Sequence, residues 1–182
     1  MKKLTLLALT TLSLSSTEYF VGVENQLSDT KKILYSNQGA NYFLDEYSRS
    51  ALRVTAGLKN SGNYYGLYFE KDYLEADQNF GLGLLFRPEL SSQDVNQDVE
   101  ISYLLDTTLG YSYKDLNEGR FSGSGFLGQL GAGASLNYKN HALSTFLGFE
   151  MDYTFTHTEE FAQSRAYLYY GFYWKLGYQY AF

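Results

Sequence analysis

Large apolar residues recur at every second position through most of this chain. Between them stand glycines, small polar residues or charges. Leu52, Val54, Ala56 and Leu58 alternate with Ala51, Arg53, Thr55 and Gly57. Phe80, Leu82, Leu84 and Phe86 alternate with Gly81, Gly83 and Leu85. Ile101, Tyr103, Leu105, Thr107, Leu109, Tyr111 and Tyr113 share one parity, and Ser102, Leu104, Asp106, Thr108, Gly110 and Ser112 the other. Leu143, Leu147, Phe149, Met151, Tyr153 and Phe155 stand against Ser144, Gly148, Glu150, Asp152 and Thr154. A period of two is the period of a β-strand, whose successive side chains point to opposite faces. No long stretch repeats apolar residues at the 3.6-residue period of a helix.

Eight strands are expected, over residues 18–28, 49–60, 63–75, 78–88, 98–113, 121–138, 141–157 and 164–182. No segment is left for a helix, a linker or a second domain. Composition agrees: 19 Tyr, 13 Phe and 17 Gly with a single Pro favour sheet over helix. Cysteine is absent, which excludes disulfide scaffolds, thiolate metal sites and thiol nucleophiles.

Which face points inward follows from size. A soluble barrel turns its large apolar residues inward. Here that face is too bulky for the lumen of eight strands. The last strand alone carries Leu168, Tyr170, Phe172, Trp174, Leu176, Tyr178, Tyr180 and Phe182 on one side. The opposite face, with its glycines and small residues, suits a crowded interior. The apolar face therefore looks out onto lipid. Lipid offers backbone groups no water, so the sheet must close into a barrel. Tyr111, Tyr113, Tyr138, Tyr178 and Tyr180, near strand ends, are expected in interfacial aromatic girdles.

The first residues, MKKLTLLALTTLSLSS, read as a secretory signal peptide over 1–16, with the barrel domain over 17–182. Their apolar run of about 11 residues is short of the ~20 that a helix needs to cross a bilayer. Removing Lys2 and Lys3 leaves 12 basic against 20 acidic residues, a formal charge of −8. Such an acidic protein is no candidate for nucleic acid. With both chain ends on the periplasmic side, residues 29–48, 76–78, 114–120 and 157–163 are expected as external loops. The tight turns at 60–63 and 138–141 are then periplasmic. A long periplasmic connection over Arg87–Gln97 breaks the pattern of short inner turns.

The signal peptide, the dyad strands and the closing YQYAF together resemble a bacterial outer-membrane β-barrel, of the OmpA/OmpX-like eight-stranded kind. The resemblance covers the whole mature chain. It implies a closed antiparallel up-and-down transmembrane barrel in the bacterial outer membrane, a monomer among outer-membrane lipids and lipopolysaccharide. It also implies that Trp174, Leu176, Tyr178, Tyr180 and Phe182 form the lipid-facing closing strand and carry the signal read by the outer-membrane assembly machinery.

Followed inward, the parity gives a set of charges: Glu24, Arg53, Glu70, Asp72, Arg87, Glu100, Asp106, Glu150, Asp152, Arg165 and Lys175. Buried charges must be paired. Glu24 is expected to meet Arg53 or Lys175, and Glu150 to reach Lys175. Eight strands leave room only for side chains, so this network reads as a plug. A narrow porin-like channel for small solutes or ions is the alternative, and a lipid A-modifying enzyme is a further one.

Other motifs carry less. Gly123–Gly128, GSGFLG, matches a dinucleotide fingerprint, but an alternating strand follows it where a phosphate-binding helix is required. Asp94, Asn96, Asp98 and Glu100 resemble the start of a calcium loop, yet Val99 stands where its glycine is needed. His157 beside Glu159 and Glu160 lacks the nearby serine of a barrel deacylase, and His141 sits in an inner turn. No catalytic residue, metal ligand or cofactor is assigned. The aromatic loop 29–48, with Tyr35, Tyr42, Phe43 and Tyr47, is the candidate surface for an external ligand.

Overall fold

A computed structural model describes residues 17–36, 39–73, 79–116, 121–156 and 165–182. The expected signal peptide lies outside the described residues, as does the stretch with His157, Glu159 and Glu160. Every described element is a strand: β1 (Thr17–Ser36), β2 (Gly39–Asn60), β3 (Asn63–Asp72), β4 (Phe80–Arg87), β5 (Glu89–Asn96), β6 (Val99–Leu116), β7 (Phe121–Tyr138), β8 (His141–Thr156) and β9 (Arg165–Ala181).

Neighbours pair antiparallel around a closed ring of eight positions, β1-β2-β3-β4-β6-β7-β8-β9 and back to β1. β5 adds no ninth position. It continues the line of β4 along β6 beyond Pro88. Proline has no N–H to give a ladder and holds φ fixed, so the strand breaks there. The Pro88 carbonyl still accepts from the Leu105 N–H at 3.1 Å, and the Asn63 side chain accepts from the Glu89 N–H at 3.0 Å.

The expected long connection over Arg87–Gln97 is thus mostly strand. Residues 97–98 are all that remain of it as a turn. Polar side chains hid this segment, but its ladder with β6 does not depend on apolar faces. All three turns at this end are therefore short. One of them puts Ser61 and Gly62 at φ 49° and 80°, the pair of positive values that a two-residue hairpin turn of matched twist requires.

The expected loop 29–48 is also corrected. β1 and β2 run on through it, with Lys31 opposite Glu46 and Lys32 opposite Asp45. A ladder already begun in the barrel wall can extend into water whatever its side chains, because its backbone bonds stay satisfied. Only residues 37–38 separate the two strands.

The seam joins the chain's two ends. β1 pairs with β9 from Phe20 opposite Ala181 to Tyr35 opposite Ala166, and Tyr19 and Phe182 exchange two backbone bonds of 3.1 and 2.8 Å. Outward positions are mostly large and apolar, Phe172 being 75% and Leu147 67% exposed. Inward positions hold the buried charges and amides, many glycines and small residues, and a few large rings and leucines. Apolar residues outside and charges inside make sense only with lipid around the wall. Tyr19, Tyr138, Tyr178, Tyr180 and Phe182 line the end that holds the termini and tight turns, and Tyr111 stands toward the other.

Candidate functional site: the ion-paired interior

The lumen is closed by side chains in tiers. The floor, at the end of the chain termini, is apolar. The rings of Phe20 and Tyr64 meet edge to face at 5.3 Å, and Leu85, Leu104 and Phe146 pack in the same cluster. Beneath lies a cavity of about 10 Å³ lined in part by Gln179 and Ala142, room for roughly one water.

Above the floor is a four-charge cluster. Arg87 grips Glu24 with both terminal nitrogens, Nη2 reaching Oε2 at 2.9 Å, and donates from Nε to Asp106 at 2.7 Å. Its guanidinium lies 4.3 Å over the Phe146 ring. The other Asp106 oxygen accepts from Lys175 at 2.6 Å and from the Tyr173 hydroxyl at 2.8 Å. All four charged groups are buried to within 1% of full burial. Glycines make room for Tyr173: a Cβ on Gly148 would stand 2.6 Å from its Cζ.

The next tier turns on Gln129. Its carbonyl accepts from Arg53 at 2.8 Å, Lys175 at 2.7 Å and Thr108 at 2.9 Å. Its amide donates to Gln26 at 3.0 Å and Glu150 at 2.8 Å. Glu70 receives both Arg53 and Arg49, and Arg49 also donates to Asp72 at 2.6 Å. Highest lies Asp152, bonded by Ser112 and Thr154 at 2.9 Å each and facing Lys114 at 3.2 Å. Lys114 itself stands 3.5 Å over the Tyr169 ring.

Each of the eight wall positions contributes at least one member to the two central tiers, Glu24, Arg53, Glu70, Arg87, Asp106, Gln129, Glu150 and Lys175 among them. Among described residues the buried set holds five cations, Arg49, Arg53, Arg87, Lys114 and Lys175. Against them stand six carboxylates, Glu24, Glu70, Asp72, Asp106, Glu150 and Asp152. That near balance is what a low-dielectric lumen demands.

The sequence-derived partners differ from those found. Glu24 lies directly opposite Arg53 in the β1–β2 ladder, yet it pairs across the lumen with Arg87. Lys175 meets Asp106, while Glu150 binds Gln26 and Gln129, with Arg49 3.7 Å away. Glu100 stands outside the network. It is half-buried near the start of β6, opposite Asp94 and Asn137, because β6 there has run past the closed part of the wall. The Arg165 side chain lies outside the described residues.

Arg49, Lys114, Gln26 and Gln129 were not singled out. Parity points to each, since Arg49 shares it with Arg53 and Lys114 with Asp106. Arg49 is the first residue of an expected strand, Lys114 falls in the expected loop 114–120, and the amides carry no charge to flag them. Gly123–Gly128 lies within β7. Asn96 caps its turn, its Oδ1 accepting from the N–H groups of Asp98 and Val99 at 3.0 Å each. His141 is the first residue of β8, with Nδ1 2.6 Å from the Tyr178 hydroxyl.

No family model and no curated protein sequence matches this chain. Among solved structures, Neisserial surface protein A is 13% identical with a TM-score of 0.49, over 92% of this chain and 100% of its own. Ail, the attachment invasion locus protein of Yersinia pestis, is 15% identical with a TM-score of 0.31, over 88% and 98%. The outer membrane protease OmpT from Escherichia coli is 9% identical with a TM-score of 0.40, over 94% and 100%. These superpositions are loose, and the assignment rests on the barrel's own closure and its outward apolar band. The chain folds as a closed, antiparallel, eight-stranded β-barrel whose outer wall faces lipid.

Proposed function

We propose that this protein is a non-enzymatic, sealed barrel that serves envelope integrity or surface contact. The observation that supports this is the lumen itself. Two tiers of bonded side chains, with at least one member from each wall position, join across it, and the charges among them are almost entirely buried. To open a path through them, ions would have to separate paired buried charges, at roughly 3–5 kcal/mol for each pair broken. The closing strand, Trp174 to Phe182, serves as the assembly signal, and lipids and lipopolysaccharide surround the wall. The β1–β2 hairpin is the surface for an external ligand.

Planar lipid bilayers test the seal. The reconstituted protein should give no steady conductance, and reproducible open steps would establish a channel instead. Mass spectrometry of lipid A from cells with and without the protein should show identical acyl chains and phosphates. A change in either would overturn the non-enzymatic reading.

A further inference from the structure

We propose that the free edge of β5 docks an extended basic segment of a periplasmic protein, which adds to the sheet as a further strand. β5 pairs on one side only, with β6. The strand that flanks β4, β3, begins at Asn63, opposite the end of β4, and so does not reach along β5. Register shifts at Leu90 and Val95 bracket a regular stretch from Ser91 to Asp94. The outer edge of that stretch faces water, and its backbone donors and acceptors form a template for another chain.

Charge selects the occupant. No Lys, Arg or His lies between Arg87 and Lys114, while Glu89, Asp94, Asp98 and Glu100 cluster in this hairpin. Asp94 and Glu100 stand directly opposite each other in the ladder, and no ion pair joins either one among the described residues. Like charges directly opposed weaken a sheet. Nothing in the fold requires them there, and a basic side chain from an added strand would relieve the repulsion. Leu90 and Val95, 60% and 57% exposed, offer apolar contacts at either end. A second copy of this chain is disfavoured, because it would bring carboxylates against carboxylates and bulges against bulges. The hairpin lies at the end of the chain termini, so the partner is periplasmic.

The test uses the folded barrel in detergent micelles and two labelled ten-residue peptides of equal charge. One alternates Lys with Val and can form a strand. The other alternates Lys with Pro and cannot complete a ladder. Fluorescence anisotropy should show saturable binding of the Lys–Val peptide, at least tenfold tighter than of the Lys–Pro peptide, and the Ser91–Asp94 amide resonances should shift. Asp94→Lys with Glu100→Lys should weaken it at least tenfold. Both sites lie outside the buried network, so the barrel stays folded, which heat-modifiable migration in SDS verifies. Equal binding of both peptides would reduce the effect to bulk charge and overturn the proposal. So would Lys–Val binding indifferent to the double substitution, or an edge occupied by a second copy.

Discussion

Asp106→Asn removes one charge from the centre of the lumen while keeping the side chain's shape. The carboxylate receives Arg87 at 2.7 Å, Lys175 at 2.6 Å and Tyr173 at 2.8 Å. With Glu24 they form a cluster of two cations and two anions. The substitution leaves two buried cations against one anion. Loss of one partner from a buried pair costs about 3–5 kcal/mol, against at most ~1 kcal/mol for an exposed pair. We expect a loss near the lower figure, about 3 kcal/mol, because Glu24 still holds Arg87 with two bonds. Combining it with Lys175→Met restores charge balance and should recover most of that loss, since a neutral, packed replacement of a buried pair is close to energetically neutral. Trp174 is the single tryptophan and faces lipid, so its fluorescence follows urea unfolding from vesicles without a label. A loss under about 1 kcal/mol for the single variant, or a double variant no more stable than the single, would refute the buried-network reasoning.

Three further substitutions probe the wall by the same unfolding assay. Gly148→Ala places a methyl 2.6 Å from both Tyr173 Cζ and Gly131 Cα and should cost about 1–3 kcal/mol by overpacking. Gly128→Ala, where a Cβ meets nothing within 4 Å, should change stability by less than about 0.5 kcal/mol. Leu147→Arg puts a charge midway along the lipid-facing side of β8 and should cost about 2–4 kcal/mol in vesicles. If Leu147→Arg proved harmless, the outward face would not be in lipid.

Much of the barrel is legible in the sequence because parity is a local property. Lys175 between Trp174 and Leu176 must point away from lipid, whatever its neighbours are. The same reasoning placed Glu24, Arg53, Arg87 and Asp106 inside. It failed where both faces are polar. β5 and the outer part of the β1–β2 hairpin lie beyond the apolar band and carry no alternation, so their sequence reads as loop. It also carried Glu100 inward, since parity does not tell where along its length a strand leaves the barrel.

By itself the sequence determined the strands, the inside and outside of each, and the need for closure. Those follow from side-chain size and from the absence of water in lipid. Only the tertiary structure decided which charges meet. Glu24 binds Arg87, 63 residues away, and passes over Arg53, its direct ladder neighbour. Charges on strands that are not neighbours meet only across the lumen. Which of them lie level there depends on the stagger of the whole closed wall, a quantity no single strand contains.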